Sequence, residues 1–595
     1  MHGEAEYPFE EEDEAASGRI HYRATGRRLA GLLSGRWRAV AKAVAFLSVA
    51  SGANIAGPLI LRRAIDVDIA GRDARGLLLT LGVFFAATAA SGLFTYLLRV
   101  ALETLGQDVL LGLKNRVFSH LLSLGLDYFD RTPVGRINAR VEADAGELRG
   151  LFADTAVLIF RDLAMCVGMF AVMASVDLRL TLIVTAFLPP VALACILFVR
   201  RSAAPFLAVR RLTAEISGWL TERIQGMAVL QAYGRQEESC GRLGALNRRK
   251  FESNYRAEAL AVTFFVSVLV VEPVAMALIL GLGGRWVLAG SVTIGTLLMF
   301  ILYVQQVFEP IFHITEHVGT IQRSFAAGQR IFDLLDTQRS VTDPPFPRFL
   351  RRIEHGVEFK GVSLRYAPDA PWALRDVSFK VPRGGRLALV GETGGGKTSI
   401  VSLLFKFYLP QEGDILVDGI SIKDMAQDGL RSLMGLVQQD IYLFPGTVMD
   451  NLKLMDRSVP DERVRDAIRV LGLESVVRRI DLDREVIERG ANLSTGEKQV
   501  LSLVRAMTLD PALLVLDEAT SSVDPHTERT IQTAMERLMK DRTSIVVAHR
   551  LSTVRHSHRI LVVRQGRVAE SGTHAELVAK GGAYSKLFRL QFSEQ

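Results

Sequence analysis

The chain has 595 residues, 49% hydrophobic and 23% charged, which is too long for one hydrophobic core and more apolar than a soluble enzyme requires. Lys and Arg outnumber Asp and Glu by 71 to 64, a net charge of +7 that suits a nucleic-acid surface only if the excess lies on one soluble face. Cys166, Cys195 and Cys240 never approach a C-x-x-C spacing, which excludes a disulfide scaffold and a zinc ribbon.

The chain opens with an acidic arm, Glu-Glu-Glu-Asp-Glu at 10–14, without the basic start and apolar core of a cleavable signal, so the first membrane span is expected to do the targeting. Apolar runs then predict six spans at about 39–61, 77–102, 154–176, 180–199, 260–282 and 286–309. The clearest is 260–282, interrupted by the single charge of Glu272; as a helix its roughly 23 residues rise ~35 Å, enough to cross a bilayer.

The gaps alternate short and long, so both long gaps lie on one side. Arg116, Arg131, Arg136, Arg140 and Arg149 in one, and Arg200, Arg201, Arg210, Arg211, Arg223, Arg235, Arg248 and Arg249 in the other, place them in the cytoplasm with both chain ends. Much of the basic excess is therefore topological, and no nucleic-acid partner is expected. The long gaps keep helical spacing and little turn chemistry, which predicts helices running on out of the membrane, with tips near 127–132 and 225–233 that touch another domain. Polar residues in or near spans are candidates for substrate contact: Asn54, Arg99, Arg161, Asp162, Glu272, Gln305, Gln306 and Glu309. Arg161 and Asp162 can equally pair with each other, whereas Glu272-Pro273 in mid-span is harder to explain structurally.

After about 345 the composition becomes that of a soluble α/β domain. The run 387–390 leads into Gly391-Glu392-Thr393-Gly394-Gly395-Gly396-Lys397-Thr398-Ser399, which fits G-x-x-x-x-G-K-[ST] between a strand and a helix. Glycines let backbone N–H groups turn toward phosphate oxygens, Lys397 brings charge to the terminal phosphates, and Thr398 reaches Mg²⁺. Downstream, 513–518 read Leu-Leu-Val-Leu-Asp-Glu, a buried strand ending in two carboxylates; Asp517 is placed to hold Mg²⁺ and Glu518 to orient or deprotonate water. His549 ends another apolar run, where it either touches a γ-phosphate or is a satisfied core histidine.

In order, Tyr366, the phosphate loop, Gln439, Glu488-Arg489-Gly490, Leu493-Ser494-Thr495-Gly496-Glu497, Asp517-Glu518, Ser521-Ser522-Val523-Asp524 and His549 resemble the motif series of the ATP-binding cassette (ABC) transporters, over nearly the whole chain. The resemblance implies a multidomain chain with an acidic arm and elbow (1–35), an all-α six-helix transmembrane domain (36–325), a linker (326–355) and an α/β P-loop nucleotide-binding domain (356–595). It implies ATP and Mg²⁺ as ligands, Tyr366 stacking on adenine, Gln439 joining Mg²⁺ to the membrane loops, Ser494 and Gly496 closing on nucleotide, Asp524 at the dimer contact, and Glu518 with His549 in hydrolysis. The fusion looks like the exporter branch: an inner-membrane ATPase moving small, amphipathic or lipid-like molecules by alternating access. An importer on the same scaffold, or an ATP-gated channel or regulator, is the alternative.

The signature departs from the family's LSGGQ, with Thr495 in place of a glycine and Glu497 in place of an amide, which should weaken anion contact. In this family one chain's signature closes over the partner's ATP, so a second half-transporter is required. An altered signature beside an intact Glu518 favours a heterodimer with one degenerate site; a homodimer that tolerates the change is the alternative.

Overall fold

The computed structural model describes residues 21–517, 525–548 and 554–592, with only the backbone described at 154, 156, 157, 203, 309, 311–318, 525 and 590–592. Packing divides the chain into two units, Met1–Leu122 with Val134–Thr337, and Ser123–Pro133 with Gln338–Gln595. The main helices in chain order are α1 (Tyr22–Leu33), α2 (Trp37–Arg63), α3 (Ala74–Ser123), the short α4 (Leu126–Arg131), α5 (Ala156–Val176), α6 (Leu178–Thr185), α7 (Leu188–Gln225), α8 (Gln236–Leu278) and α9 (Ile294–Asp336). Of these, α4 belongs to the second unit.

In the first unit five helical runs are long and apolar enough to cross a membrane: Tyr22–Ile69, Ala74–Ser123, Val134–Val176, Leu178–Gln225 and Gln236–Leu288. The sixth apolar stretch, Ile294–Phe308 at the start of α9, is shorter. Large apolar side chains such as Leu78 and Phe85 are exposed along these runs, as expected of surfaces that face lipid. The long gaps are helical: α3, at 50 residues, rises about 75 Å, more than twice the hydrocarbon thickness. Asp177 accepts from the N–H groups of Arg179 (2.9 Å) and Leu180 (3.1 Å) and so caps α6, which is why the chain turns there.

One boundary differs from the sequence reading. The fifth and sixth spans do not separate at 283–285; the helix continues through a π turn (Ile279–Gly283) and Gly284–Leu288, and the chain turns at Gly290 (φ +73°) before Thr293 caps α9. The sixth span therefore starts at Ile294 rather than 286. Gly283 serves close packing rather than a turn, since a Cβ there would lie 2.7 Å from Leu297 Cδ1 and 3.3 Å from Leu180 Cδ2.

The core of this unit joins Met169, Met173, Leu180, Val184, Val268, Ala275, Phe300 and Phe308 with Tyr303, whose hydroxyl donates to the Ile55 carbonyl (2.6 Å). Arg161 pairs with Asp162 (2.9 Å), the bland alternative for those two charges. Glu272 is half-buried in α8, whose backbone stays helical through Pro273. Two bonds from Arg330 to Asp144 (2.5 and 3.0 Å) fix the C-terminal part of α9.

The second unit is α/β. A four-stranded antiparallel sheet runs β2-β1-β4-β5, with β1 Gly356–Leu364, β2 Leu374–Pro382, β4 Glu412–Val417 and β5 Ile420–Ser421. A six-stranded sheet runs β10-β9-β3-β8-β7-β6, with β3 Arg386–Val390, β6 Met434–Val437, β7 Leu513–Asp517, β8 Thr543–Val547, β9 Arg559–Arg564 and β10 Arg567–Gly572. All pairs in it are parallel except β9 with β10. Buried on both faces, β3, β7 and β8 carry continuous apolar runs (387–390, 513–516 and 545–547) rather than alternating ones. Three of its helices matter for the site: α10 (Lys397–Leu404), α11 (Thr495–Thr508) and α12 (Pro525–Met539).

Candidate nucleotide site

In a parallel sheet ligands gather beyond the carboxyl ends of the strands. Here Val547 pairs with Leu389 on one side and with Asp517 on the other, so β3, β8 and β7 end level. The 391–396 loop leaves from β3 with Gly391 at φ +152°, Gly394 at +78° and Gly396 at +108°. A side chain is impossible at two of them: a Cβ on Gly391 would fall 2.1 Å from the Val563 carbonyl oxygen, and one on Gly396 2.8 Å from that of Ala373. Gly396 starts α10, and Lys397 follows as its first residue.

Lys397 is 7% exposed and spans its own loop, its Nζ donating to the carbonyls of Gly391 (2.7 Å) and Glu392 (2.9 Å). Burial lowers its pKa, and the negative charge of Asp517 opposes that fall. The ammonium is therefore held beneath the loop with the Asp517 charge in range, while Glu392, Thr393, Gly394 and Thr398 are exposed at its rim. Among the described residues no cluster of three or more His, Cys, Asp or Glu could hold a metal alone. The donors here suit Mg²⁺ brought with a phosphate ligand, a hydroxyl and a carboxylate completing a shell otherwise made of phosphate oxygens and water.

Tyr366 is 38% exposed; its hydroxyl bonds to Ser399 Oγ (2.9 Å) on α10, and its ring stands edge-on to Tyr408, centroids 5.0 Å apart. The helix α4 meets this pair. Tyr408 donates its hydroxyl to the Asp130 carboxylate, Arg131 donates to the Tyr366 carbonyl (2.5 Å), and Ser340 donates to Asp127. Burial, then the bond to Asp130, raises the Tyr408 phenol above its ordinary range. Sequence reasoning expected the 127–132 tip to touch another domain, but nothing in it singled out Tyr408. The 225–233 tip stays in the first unit, with Met227, Val229 and Tyr233 exposed.

Gln439 is exposed. The segment after it is held by Asn451, which bonds both the N–H and the carbonyl of Phe444 (2.8 Å each), and by Arg505 of α11, which donates to the carbonyls of Tyr442 (3.2 Å) and Asn451 (3.0 Å). The same helix begins with the altered signature. Ser494 Oγ accepts from the Glu497 N–H (3.2 Å), and the Glu497 carboxylate accepts from the Ser494 N–H (2.8 Å), a complete capping box. Gly496 is buried, whereas Ser494 and Thr495 are exposed. The S-x-x-E spacing could have disclosed this box, although sequence reasoning read Glu497 only as a poor phosphate contact. Glu518, the stretch 521–524 and His549 lie outside the described residues.

Helices able to cross a membrane followed by an α/β unit with this phosphate loop define an ATP-driven membrane transporter. The chain matches the family profiles "ABC transporter transmembrane region" over residues 40–311 and "ABC transporter" over 374–521. It is 34% identical over 528 residues to a probable multidrug resistance ABC transporter ATP-binding/permease protein of Bacillus subtilis (strain 168), covering 87% of this chain and 77% of that one. It is 30% identical over 584 residues to an ATP-dependent lipid A-core flippase of Bordetella avium (strain 197N), covering 96% of each. The solved structure of a bacterial Atm1-family ABC exporter with ATP bound superimposes with a TM-score of 0.77 at 27% identity, covering 93% of this chain and 98% of that one. The chain belongs to the ABC transporter family. It is a multi-pass membrane ATPase of the exporter type that binds ATP and acts as a dimer; import is not favoured.

Proposed function

We propose that this chain is one half of an inner-membrane exporter for small amphipathic or lipid-like molecules, with both termini in the cytoplasm. Support for the substrate class comes from relatives named for multidrug resistance and for lipid A-core flipping, and for the orientation from the arginine-rich long loops. The observation that carries the ATPase reading is Lys397, buried under the 391–396 loop with the Asp517 charge in range. On this reading the 391–396 backbone, Lys397 and Ser399 bind phosphate, Tyr366 carries adenine, and Ser494 with Gly496 closes the partner's nucleotide. Thr398, Gln439 and Asp517 would hold Mg²⁺, which shields phosphate charge when bound. Glu518 orients or deprotonates the attacking water and His549 meets the γ-phosphate.

The signature supports a heterodimer. In its capping box the carboxylate of Glu497 already occupies the positive end of α11, where a phosphate of the partner's nucleotide would otherwise find the helix dipole. The deciding experiment reconstitutes the chain in vesicles alone and with a co-expressed second half-transporter, following dye export and ATPase activity. ATP-dependent export only with the partner is expected; robust export by the chain alone at two equivalent sites removes the heterodimer and leaves a homodimer.

A further inference from the structure

Residues 21–42 contain Arg23, Arg27, Arg28, Arg36, Arg38 and Lys42 and no acid. Two of these cations are engaged within the first unit. Arg28 bonds both oxygens of Asp336 (2.5 and 2.8 Å) and lies 4.3 Å over the Phe332 ring, and Arg36 donates to the carbonyls of Leu32 (3.0 Å) and Asp108 (2.9 Å). The other four are exposed and form no ion pair among the described residues. They fall into two i,i+4 pairs, Arg23 with Arg27 on α1 and Arg38 with Lys42 on α2, a spacing at which like charges repel unless an anion lies between them. Both helices start without a side-chain cap or an acid in the first turn, and Arg23 and Arg38 stand at that positive end of the dipole. Among the described residues, two helix starts therefore present positive charge that no acid pairs.

The neighbourhood of this charge is apolar. Trp37, 66% exposed, lies between the pairs with the Arg38 guanidinium 5.7 Å from its ring, and Val44 and Val49 are exposed further along the first span. A tryptophan at the mouth of a span marks the bilayer interface, so the anion that fits here carries acyl chains. The opposite face of α1 is packed: Thr25 and Leu29 are buried, Tyr22 lies 5.4 Å from Phe325, and a Cβ on Gly328 would be 3.4 Å from Leu29 and Thr25. Through these contacts and Arg28–Asp336, α1 clasps the last turns of α9.

We propose that Arg23, Arg27, Arg38 and Lys42 form a docking surface for the headgroups of anionic phospholipids, and that the α1–α9 clasp makes ATP turnover depend on its occupancy. The test uses the full chain, with its partner where required, in nanodiscs of phosphatidylcholine alone or with about 30 mol% phosphatidylglycerol. Wild type should retain phosphatidylglycerol in native mass spectrometry and turn over ATP roughly threefold faster in the anionic discs. R23Q/R27Q/R38Q/K42Q should lose both effects while keeping the phosphatidylcholine rate. R23K/R27K/R38K, which preserves charge, should keep both and guards against misfolding of the neutral variant. R28Q should keep lipid retention and lose the stimulation. Equal wild-type rates in the two discs, an undiminished response in the quadruple Gln variant, or stimulation by inorganic phosphate in phosphatidylcholine discs would each overturn the proposal.

Discussion

The hydroxyl of Tyr408 donates to the carboxylate of Asp130, 278 positions earlier in the chain, and the ring that carries that hydroxyl stands edge-on to Tyr366. A change in the position of α4 is thereby felt at an aromatic ring beside the phosphate loop. Tyr408→Phe keeps the edge-on ring contact and deletes the bond. The KM for ATP should rise about three- to tenfold with a smaller change in kcat, as for loss of uniform binding through a positioning residue. Steady-state ATPase kinetics check this, and an unchanged KM would show that Asp130 and Tyr408 touch without consequence.

Lys397→Ala removes the ammonium that lies under the phosphate loop, and nucleotide binding itself should fall by at least tenfold. Fluorescent ATP titration reads this directly. Lys397→Arg should not rescue, because a larger planar guanidinium does not reproduce the two bonds that the compact, buried ammonium makes to the carbonyls of Gly391 and Glu392.

Glu518→Gln should bind ATP like wild type and lose most turnover, on the assignment of Glu518 as the group that activates water. Near-normal phosphate release by that variant would move the role to another residue.

Glu497→Gln leaves an S-x-x-Q capping box and removes only the charge, so the fold should be untouched. Nucleotide trapping at the site completed by this signature should rise, while the turnover that depends on Glu518 changes little. Ser494→Ala instead deletes the cap and should cost about 1 kcal/mol of cassette stability. Photolabelling of each site in the assembled dimer, together with thermal unfolding, distinguishes the two effects.

Asp336→Asn tests the clasp through pH. The Asp336 carboxyl is held below its ordinary value first by the bond from Arg28 and then by the charge of Arg28. A depressed folded pKa stabilises above the unfolded value, near 4, and that contribution fades as pH falls through the lower folded value. Wild type should therefore melt above D336N by the same margin from pH 5 to pH 8, and the margin should close below about pH 4. The exposed position of the pair keeps the margin small.

The phosphate loop was legible in the sequence because its chemistry is local: three glycines in positive φ, then Lys397 and Thr398, all within a few residues. The membrane helices were legible for the same reason, as long apolar runs, whereas the Asp177 cap between two of them emerges only from the structure. The start of the sixth helix was misjudged because Gly283 and Gly284 look like a turn in isolation, whereas the space that Leu180 and Leu297 take at Gly283 is visible only once the helices pack. The neighbours of Tyr366 were hidden for a similar reason, as no local pattern pairs Asp130 with Tyr408. Lys406 was missed as well; it is 1% exposed, and its Nζ donates to the Met425 carbonyl (2.6 Å), a core role that no lysine declares in sequence.

The level ends of β3, β8 and β7 bear on how reliably the site forms. Leu513, Leu514, Val515 and Leu516 all fit the buried interior, so hydrophobicity alone does not fix which of them sits opposite which residue of β8. What distinguishes the observed register is Asp517: sliding β7 inward by one residue would draw its carboxylate among apolar side chains, a penalty of several kcal/mol. The residue assigned to Mg²⁺ thus also acts as a stop that tells the folding strand where its buried part ends. A variant such as Asp517→Leu would lose more than a metal ligand, because it would lengthen the apolar run and let neighbouring registers compete.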